Sequence, residues 1–207
     1  MPTDATTDAT TDATPAGGPD DLRRRRLLDA ALATFVRFGF RKTSMEEVAR
    51  AAHLSRQGLY LHFATKEELF RATVAHALAT GLDAAAARLR ATAAPVPDRL
   101  VAGFDAWLGR FVGLGEDVTD LHEAIVRLVG PQVAAHEDQF IELVARVLRS
   151  SGLAAAYKPA GLTARQLADT LYATARGLKH SCATRAELID RLTVAVRALC
   201  LPLAARG

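Results

Sequence analysis

Residues 42–69 read KTSMEEVARAAHLSRQGLYLHFATKEEL, and this stretch decides the fold because three helices begin in close succession. A hydroxyl residue followed three positions later by a carboxylate forms a capping box, in which the two side chains satisfy free N–H groups of a helix's first turn. Two such boxes are present: Ser44 with Glu47, and Thr65 with Glu68. Ser55 supplies the N-cap of the helix between them. The spacing predicts two short helices joined by a tight turn, followed directly by a third helix.

Each of the two short helices has one apolar face. Its members recur at helical spacing: Met45, Val48, Ala49 and Ala52 in the first helix, and Leu59 and Phe63 in the second. A capped amphipathic helix pair is common in small helical domains, and its spacing alone leaves that plain structural reading open. The outer face of the second helix, however, also clusters an aromatic residue, a His and a Gly, which folding alone does not require. The pattern favours a helix-turn-helix whose second helix enters the major groove of DNA.

The predicted DNA contacts lie on this outer face and around it. Residues at its centre would meet the base edges, and residues at its sides would bond the phosphates of the two groove walls. The set is Lys42, Thr43, Ser55, Arg56, Gln57, Gly58, Tyr60, Leu61, His62 and Lys66. Charge agrees, since residues 21–66 carry ten Lys and Arg against four Asp and Glu, whereas residues 1–20 carry four Asp and no basic residue. This concentration of positive charge is expected for a polyanion partner.

From Arg24 to about Leu78 the sequence resembles the TetR-type (tetracycline-repressor-like) transcriptional regulators. The resemblance is carried by Phe38-Gly39-Phe40, Thr43 to Ala49, Leu54-Ser55, Leu59 to Phe63, and Thr65 to Leu69. It implies a ligand-responsive regulator, most often a repressor, in which effector binding moves the fourth helix and changes the separation of two DNA-binding heads. Two positions depart from the family pattern, in which Gly is usual: His53 in the turn, and Gln57 at the closest approach to DNA. His tolerates the left-handed backbone that such a turn needs.

Beyond residue 66 the sequence reads as helices with no convincing strand, so we expect an all-α protein of about nine helices. The predicted helices after the third are 67–91, 98–114, 118–129, 131–151, 164–181 and 185–200, with Pro131 opening the seventh. The chain divides into a disordered tail over residues 1–20, where Thr-Asp-Ala-Thr occurs three times, a DNA-binding domain over 21–66, and an effector-binding and dimerisation domain over 67–207.

No apolar run approaches the roughly 18 residues of a membrane span, and the first residues lack an apolar signal region. We therefore expect a cytoplasmic protein that does not contact membrane. The two cysteines, Cys182 and Cys200, lie near opposite ends of a predicted helical hairpin, roughly 25 Å apart at about 1.5 Å per residue. At that distance they cannot pair within one chain.

The last two helices carry long apolar stripes. They are Leu167, Leu171, Ala175 and Leu178 on one helix, and Leu188, Leu192, Ala195, Val196 and Leu199 on the other. The resemblance implies that these helices form a four-helix bundle with a second subunit, giving a homodimer on a palindromic operator of double-stranded DNA. The alternative is that the stripes only cover the rest of their own domain.

A pocket for an unknown small-molecule effector is less clearly marked. Phe104, Trp107 and Phe111 recur at helical spacing, a pattern more typical of plain core than of a cavity lining. His122, His136 and Phe140 lie on apolar stripes, where a histidine needs a partner, a water or a ligand, and a satisfied core histidine is the commoner case. Tyr172 and Arg176 lie four apart and would suit a ligand acid or a dimer contact equally well. These eight residues are the predicted ligand contacts.

Other classes of protein fit less well. His122-Glu123 and His136-Glu137 begin like a zinc-protease motif, but Val126 and Phe140 occupy the positions of the second His. The sequence also lacks a Gly-rich phosphate loop and a Gly-x-Ser-x-Gly motif, so we expect neither catalysis nor a cofactor or metal ion. An effector-free architectural DNA-binding protein, whose second domain only dimerises, remains the alternative.

Overall fold

In the computed structural model, which describes residues 18–113 and 119–204, the chain folds into helices and turns. The nine α-helices of this part are α1 Pro19–Lys42, α2 Met45–Ala51, α3 Arg56–His62, α4 Lys66–Arg90, α5 Val96–Leu108, α6 Thr119–Ser150, α7 Leu153–Tyr157, α8 Ala164–Ser181 and α9 Arg185–Ala204. Single 3₁₀ turns follow α5 and α7. The all-α prediction is confirmed. None of the helices described is long and apolar enough to span a bilayer.

The first hydrophobic core joins α1, α2, α3 and the beginning of α4. Three buried phenylalanines stand at its centre, with ring centroids 5.0 Å apart for Phe35–Phe70 and Phe40–Phe70, and 6.0 Å apart for Phe35–Phe40. The N-terminal half of α6 also packs here through residues such as Leu121 and Val129. This core therefore reaches past residue 66 on both α4 and α6, so the two predicted domains share a packed junction.

The second hydrophobic core lies among the C-terminal half of α4, α5, the C-terminal half of α6, α7, α8 and α9. It contains most of the predicted dimer stripes, because Leu167, Leu171 and Ala175 of α8 and Leu192 and Val196 of α9 are buried in it. Leu188 of α9 is also buried within the single chain. Within the single chain these stripes therefore cover their own domain, which is the alternative given above. Any dimer contact of α8 and α9 must use their remaining faces.

The helix starts agree closely with the capping boxes. Ser44 accepts from the Glu47 N–H at 3.2 Å and the Glu47 carboxylate accepts from the Ser44 N–H at 2.8 Å, so that box is complete. The bonds from the Ser44 N–H and hydroxyl hold the pKa of Glu47 below its ordinary value. Thr65 accepts from the Glu68 N–H at 3.1 Å, but the Glu68 carboxylate accepts from the Ala64 N–H, one residue earlier than predicted.

The predicted break at Pro131 is wrong. The single helix α6 runs from Thr119 to Ser150 with Pro131 inside it, and a proline there removes one backbone hydrogen bond to the carbonyl of Arg127. Arg127 and Pro131 both lie at exposed positions of α6, where water can donate a hydrogen bond to the Arg127 carbonyl. The described residues still contain the predicted number of nine helices, because α6 replaces two predicted helices and α7, a short helix after Gly152, was not predicted.

Other predicted ends shift by a few residues or fall outside the described part. The helix α1 begins at Pro19, inside the predicted tail, and residues 1–17 lie outside the described residues. The helix α5 begins at Val96, two residues before the predicted start. The ends predicted at 114 and 118 also lie outside the described residues. Cys182 and Cys200 are both buried free thiols, as their separation predicted.

Candidate nucleic-acid interface

The turn between α2 and α3 has the backbone that the sequence predicts. His53 has a φ of 55°, the only positive φ of a non-glycine residue within the described ranges, so it takes the left-handed conformation in place of the usual glycine. The Leu54 N–H donates to the Ala49 carbonyl at 2.8 Å and closes the turn. Ser55 then caps α3 by accepting from the Gly58 N–H at 3.0 Å. These contacts fix the direction in which α3 leaves α2.

The helix α3 is buried on one side and open on the other. Leu59 is completely buried and Phe63 nearly so, as the period of the sequence predicts. Leu61 is 83% exposed on the opposite side, and Gln57 beside it is also exposed. Leu61 and Gln57 therefore form the open side of α3, opposite the buried Leu59.

Arg56 holds the position of Tyr60. Its guanidinium pairs with the Glu46 carboxylate at 2.9 Å and lies 5.6 Å from the centre of the Tyr60 ring. The ring is 40% exposed, which leaves it at the edge of the open face of α3. His62 is exposed on the last turn of the same helix. The two side chains predicted to bond the groove walls are therefore both accessible.

Lys66 and Thr43 are more deeply engaged than the sequence predicted. The Lys66 ammonium donates to the carbonyls of Phe40 at 3.0 Å, Arg41 at 3.3 Å and Thr43 at 3.1 Å, and it lies 4.6 Å from the Phe40 ring centre. The Thr43 side chain is buried and donates to the Gly39 carbonyl at 2.6 Å. The last carbonyls of a helix lack intrahelical partners, and Lys66 satisfies two of those of α1, at Phe40 and Arg41. Both side chains thus build the domain, and their DNA contacts stay a prediction.

Exposed cations extend the open face of α3 beyond the helix-turn-helix itself. Lys42 is exposed at the end of α1, and Arg23 to Arg26 are exposed at its start. Arg24 lies 5.2 Å from the centre of the Phe63 ring, so the start of α1 stands next to the end of α3. The predicted contacts on α2–α3 and the basic run of α1 therefore lie on neighbouring parts of one positively charged surface.

A contact between α1 and α6, which sequence reasoning missed, ties the helix-turn-helix to the rest of the chain. Gly39 has a φ of 78° and a ψ of 174°, and this kink turns the Arg41 N–H toward the Asp120 carboxylate, which accepts at 2.8 Å. The Arg41 guanidinium pairs with Glu123 at 2.8 Å. The partners are about 80 residues apart in sequence, and only the Phe38-Gly39-Phe40 motif pointed to a special backbone there. We call this contact the α1–α6 clamp.

The predicted ligand residues divide into three groups by burial. Phe104, Trp107, Phe140 and Tyr172 pack against one another in the second core, with ring centroids 5.0 Å apart for Phe104–Phe140 and 5.2 Å apart for Trp107–Phe140. Phe111 is half-buried in the 3₁₀ turn after α5, and His136 bonds the Gln132 carbonyl at 2.8 Å. His122 and Arg176 are exposed. The aromatic stripe is thus core in this structure, and its contact with a ligand stays a prediction.

The arrangement defines a class: an all-helical protein whose short, open helix is presented by a helix-turn-helix at one end of a larger helical domain. A family model described as "Bacterial regulatory proteins, tetR family" matches residues 27–73, which hold α2, α3 and the adjoining parts of α1 and α4. Over these residues the chain is similar to the TetR family of transcriptional regulators, whose members bind DNA.

Individual relatives agree with this assignment. The chain is 42% identical over 67 residues to "HTH-type transcriptional activator FasR" of Mycolicibacterium smegmatis, which covers 29% of this chain and 31% of the relative. It is 38% identical over 47 residues to "Probable acrEF/envCD operon repressor" of Escherichia coli K12, covering 23% and 21%. These curated relatives therefore match over less than a third of their length.

The fold is shared over a much larger part of the chain. A TetR-like transcriptional regulator from Rhodococcus sp. RHA1 superimposes with a TM-score of 0.58 at 26% identity, covering 92% of this chain and 100% of that one. Similarity in sequence is therefore concentrated at the DNA-binding end, whereas similarity in fold extends over both cores.

Proposed function

We propose that this protein is a ligand-responsive repressor that binds a palindromic DNA operator as a homodimer. The observation that carries the proposal is the open face of α3, where Gln57 and Leu61 stand free between the accessible side chains of Tyr60 and His62. A helix of this kind reads bases in the major groove, and its flanking residues bond phosphates. The exposed cations of α1 add the sequence-independent part of the affinity. Such a protein works where the chromosome is, in the cytoplasm.

Dimerisation is supported by the surface that α8 and α9 leave uncovered. Val194 is 70% exposed and Leu201 is 65% exposed on α9, seven residues apart and therefore on one face. The neighbouring face of α8 presents Thr170, Ala173, Thr174 and Gly177, all exposed and small enough for a close approach of helices. One helix-turn-helix contacts only one half-site, so a dimer through these faces gives the two heads that a palindrome needs.

Repression is the simpler mode of action because it requires only occupation of the operator. The relatives include one named as an activator and one named as a repressor, so similarity to the family by itself leaves the direction open. Release by an effector requires a path from the second core to α3. The helix α4 provides one, since only residues 63–65 separate it from α3 and its far end belongs to the second core.

A selection from random duplex DNA tests the proposal without knowledge of the operator. We expect the purified protein to enrich a two-fold symmetric sequence whose half-site centres lie about 34 Å apart or farther. The affinity for that sequence should fall steeply with added salt. A reporter gene placed behind the enriched site should be repressed by the protein. Failure to enrich any sequence, together with binding that ignores salt, would refute the proposal.

The second candidate function is that of an effector-free architectural DNA-binding protein. It is favoured by one observation, the close packing of Phe104, Trp107 and Phe140 where a ligand was predicted. Thermal unfolding of the protein against a library of small molecules separates the two functions, since a ligand of the native state raises the melting temperature. A ligand that also weakens operator binding supports the repressor.

A further inference from the structure

The centre of the open face of α3 carries one amide and one hydrocarbon side chain. Gln57 and Leu61 are four residues apart, so they lie one above the other on the side away from the buried Leu59. Gly58 adds no side chain to this face, and a Cβ placed there would meet, among the described residues, only the Ser55 hydroxyl oxygen within 4 Å. A partner that approaches this face therefore meets the Gln57 amide and the apolar end of Leu61 first.

The two cations that flank this face along the chain are engaged elsewhere. Arg56 is the only Arg or Lys of α3, and its guanidinium points toward α2, where it pairs with the Glu46 carboxylate at 2.9 Å. The Lys66 ammonium, at the start of α4, donates to three carbonyls near the end of α1. Guanine is usually read by an Arg or Lys that donates to its O6 and N7 atoms. The centre of this face lacks such a group, so it is poorly suited to a G·C pair.

An A·T pair offers what these two side chains can bind. Adenine presents an acceptor at N7 and a donor at N6, and a glutamine amide can bond both. Thymine presents its C5 methyl group, which is the only methyl group on the floor of the major groove. Leu61 has no polar side-chain atom, so it would leave hydrogen-bonding groups of the other bases unsatisfied if it were pressed against them. The thymine methyl is therefore the matching surface for Leu61 in the groove.

The spacing of the two side chains limits how far apart their two bases lie. Four residues of an α-helix rise about 6 Å, and neighbouring base pairs of B-DNA are about 3.4 Å apart. Gln57 and Leu61 therefore reach base pairs no more than about two steps apart. A single half-site can supply both bases, and a dimer meets the same combination twice.

We propose that Leu61 is a specificity-determining residue that recognises thymine by packing on its C5 methyl group, within about two base pairs of an adenine that Gln57 recognises. This inference rests on the proposed function, because it names the bases that the same face reads. The sugars of the DNA backbone are the other apolar surface near the groove, and contact with them would give Leu61 affinity without sequence preference. The two contacts respond differently when a methyl group is removed from the DNA.

Deoxyuridine in place of thymidine provides the test, because it removes the C5 methyl group and keeps the base pair. Each thymine of the half-site enriched from random DNA is replaced in turn, in both half-sites, and binding of the full chain is measured by fluorescence anisotropy. We expect at least one position to weaken binding about fourfold per half-site, or about fifteenfold for the whole operator, which is the contribution of one buried methyl group in each half-site. Deoxyuridine outside the half-sites should leave the affinity unchanged. An unchanged affinity at every thymine would overturn the proposal.

Leu61 variants assign the methyl contact to this side chain. Leu61→Ala should bind the thymidine and deoxyuridine operators nearly equally, whereas Leu61→Met, of similar volume, should keep most of the preference. Leu162→Ala is the matched control, since Leu162 is an exposed leucine just before α8, and it should retain the wild-type ratio of affinities. If Leu61→Ala also retains that ratio, another group makes the methyl contact and the proposal is wrong.

The outcomes also separate this inference from the proposed function. An enriched, salt-sensitive operator that tolerates deoxyuridine at every thymine overturns the role of Leu61 and leaves the repressor proposal standing. Failure to enrich any sequence overturns both, since no base is then read.

Discussion

Gly39→Ala is the sharpest test of how the helix-turn-helix is attached to the second core. The φ of 78° and ψ of 174° at Gly39 lie in a region that is essentially restricted to glycine, and forcing alanine into it costs about 1 to 3 kcal/mol. The added Cβ would also lie within 2.3 Å of the Asp120 carboxylate. Asp120 must then move and lose its hydrogen bond from the Arg41 N–H, which costs about 1 to 2 kcal/mol more.

We therefore expect Gly39→Ala to lower the free energy of unfolding by about 2 to 5 kcal/mol. Urea unfolding at a fixed protein concentration measures it, since a dimer makes stability depend on concentration. Gly161→Ala is the matched control. Gly161 has a similar φ of 73°, but its added Cβ would meet no atom within 4 Å. It should cost only about 1 to 2 kcal/mol.

A double-mutant cycle separates strain from the lost contact. Asp120→Ala alone removes the bond to Arg41, whereas in the Gly39→Ala background that bond is already broken and the crowding is relieved. The second substitution should therefore cost about 1 kcal/mol less in the variant than in the wild type. If the two substitutions are additive, or if Gly39→Ala costs no more than Gly161→Ala, Gly39 and Asp120 are not coupled as the structure indicates.

Three further substitutions test the DNA-binding surface and the dimer. Lys66→Met should lower the free energy of unfolding by about 1 to 3 kcal/mol, whereas Lys42→Met should leave it nearly unchanged and reduce the salt dependence of DNA binding. If urea unfolding gives the same stability for both variants, Lys66 is not needed for the fold and its role is a contact to DNA phosphate. Gln57→Ala should reduce the difference in binding free energy between selected and random DNA by about 1 to 3 kcal/mol, as measured by fluorescence anisotropy. An unchanged difference would mean that another face of α3 lies in the groove. Val194→Asp should shift sedimentation toward the monomer without loss of helicity, and an unchanged assembly state would exclude this α9 face from the dimer.

Local features of the fold could be predicted from the sequence because they depend on neighbours a few residues apart. The Ser44–Glu47 box, the Ser55 cap and the left-handed His53 each concern a single turn of chain. The buried Leu59 and the open Leu61 follow from helical period alone. These features fix α2, the turn and α3, and hence most of the candidate interface.

Features that depend on distant partners could not be predicted in this way. Nothing near Lys66 in the sequence shows that its ammonium meets the carbonyls at the end of α1, 23 to 26 residues earlier. Likewise, the sequence around Pro131 is typical of a helix start. Only the structure shows that Pro131 lies on an exposed face of α6, where the helix tolerates the loss of one backbone hydrogen bond. The stripes of α8 and α9 show that they are buried, but not whether their own chain or a partner covers them.

The α1–α6 clamp adds a second route between the helix-turn-helix and the rest of the protein, beside the continuous helix α4. The side chains of its Arg41–Glu123 pair are 75% and 58% exposed, and pairs as open as this contribute only about 0 to 1 kcal/mol. Allosteric couplings between binding sites are typically about 1 to 3 kcal/mol, so a ligand that moves the start of α6 has enough free energy to break the pair. The Arg41–Glu123 pair is therefore weak enough to switch, whereas the three carbonyl bonds of Lys66 keep the α1–α4 contact intact.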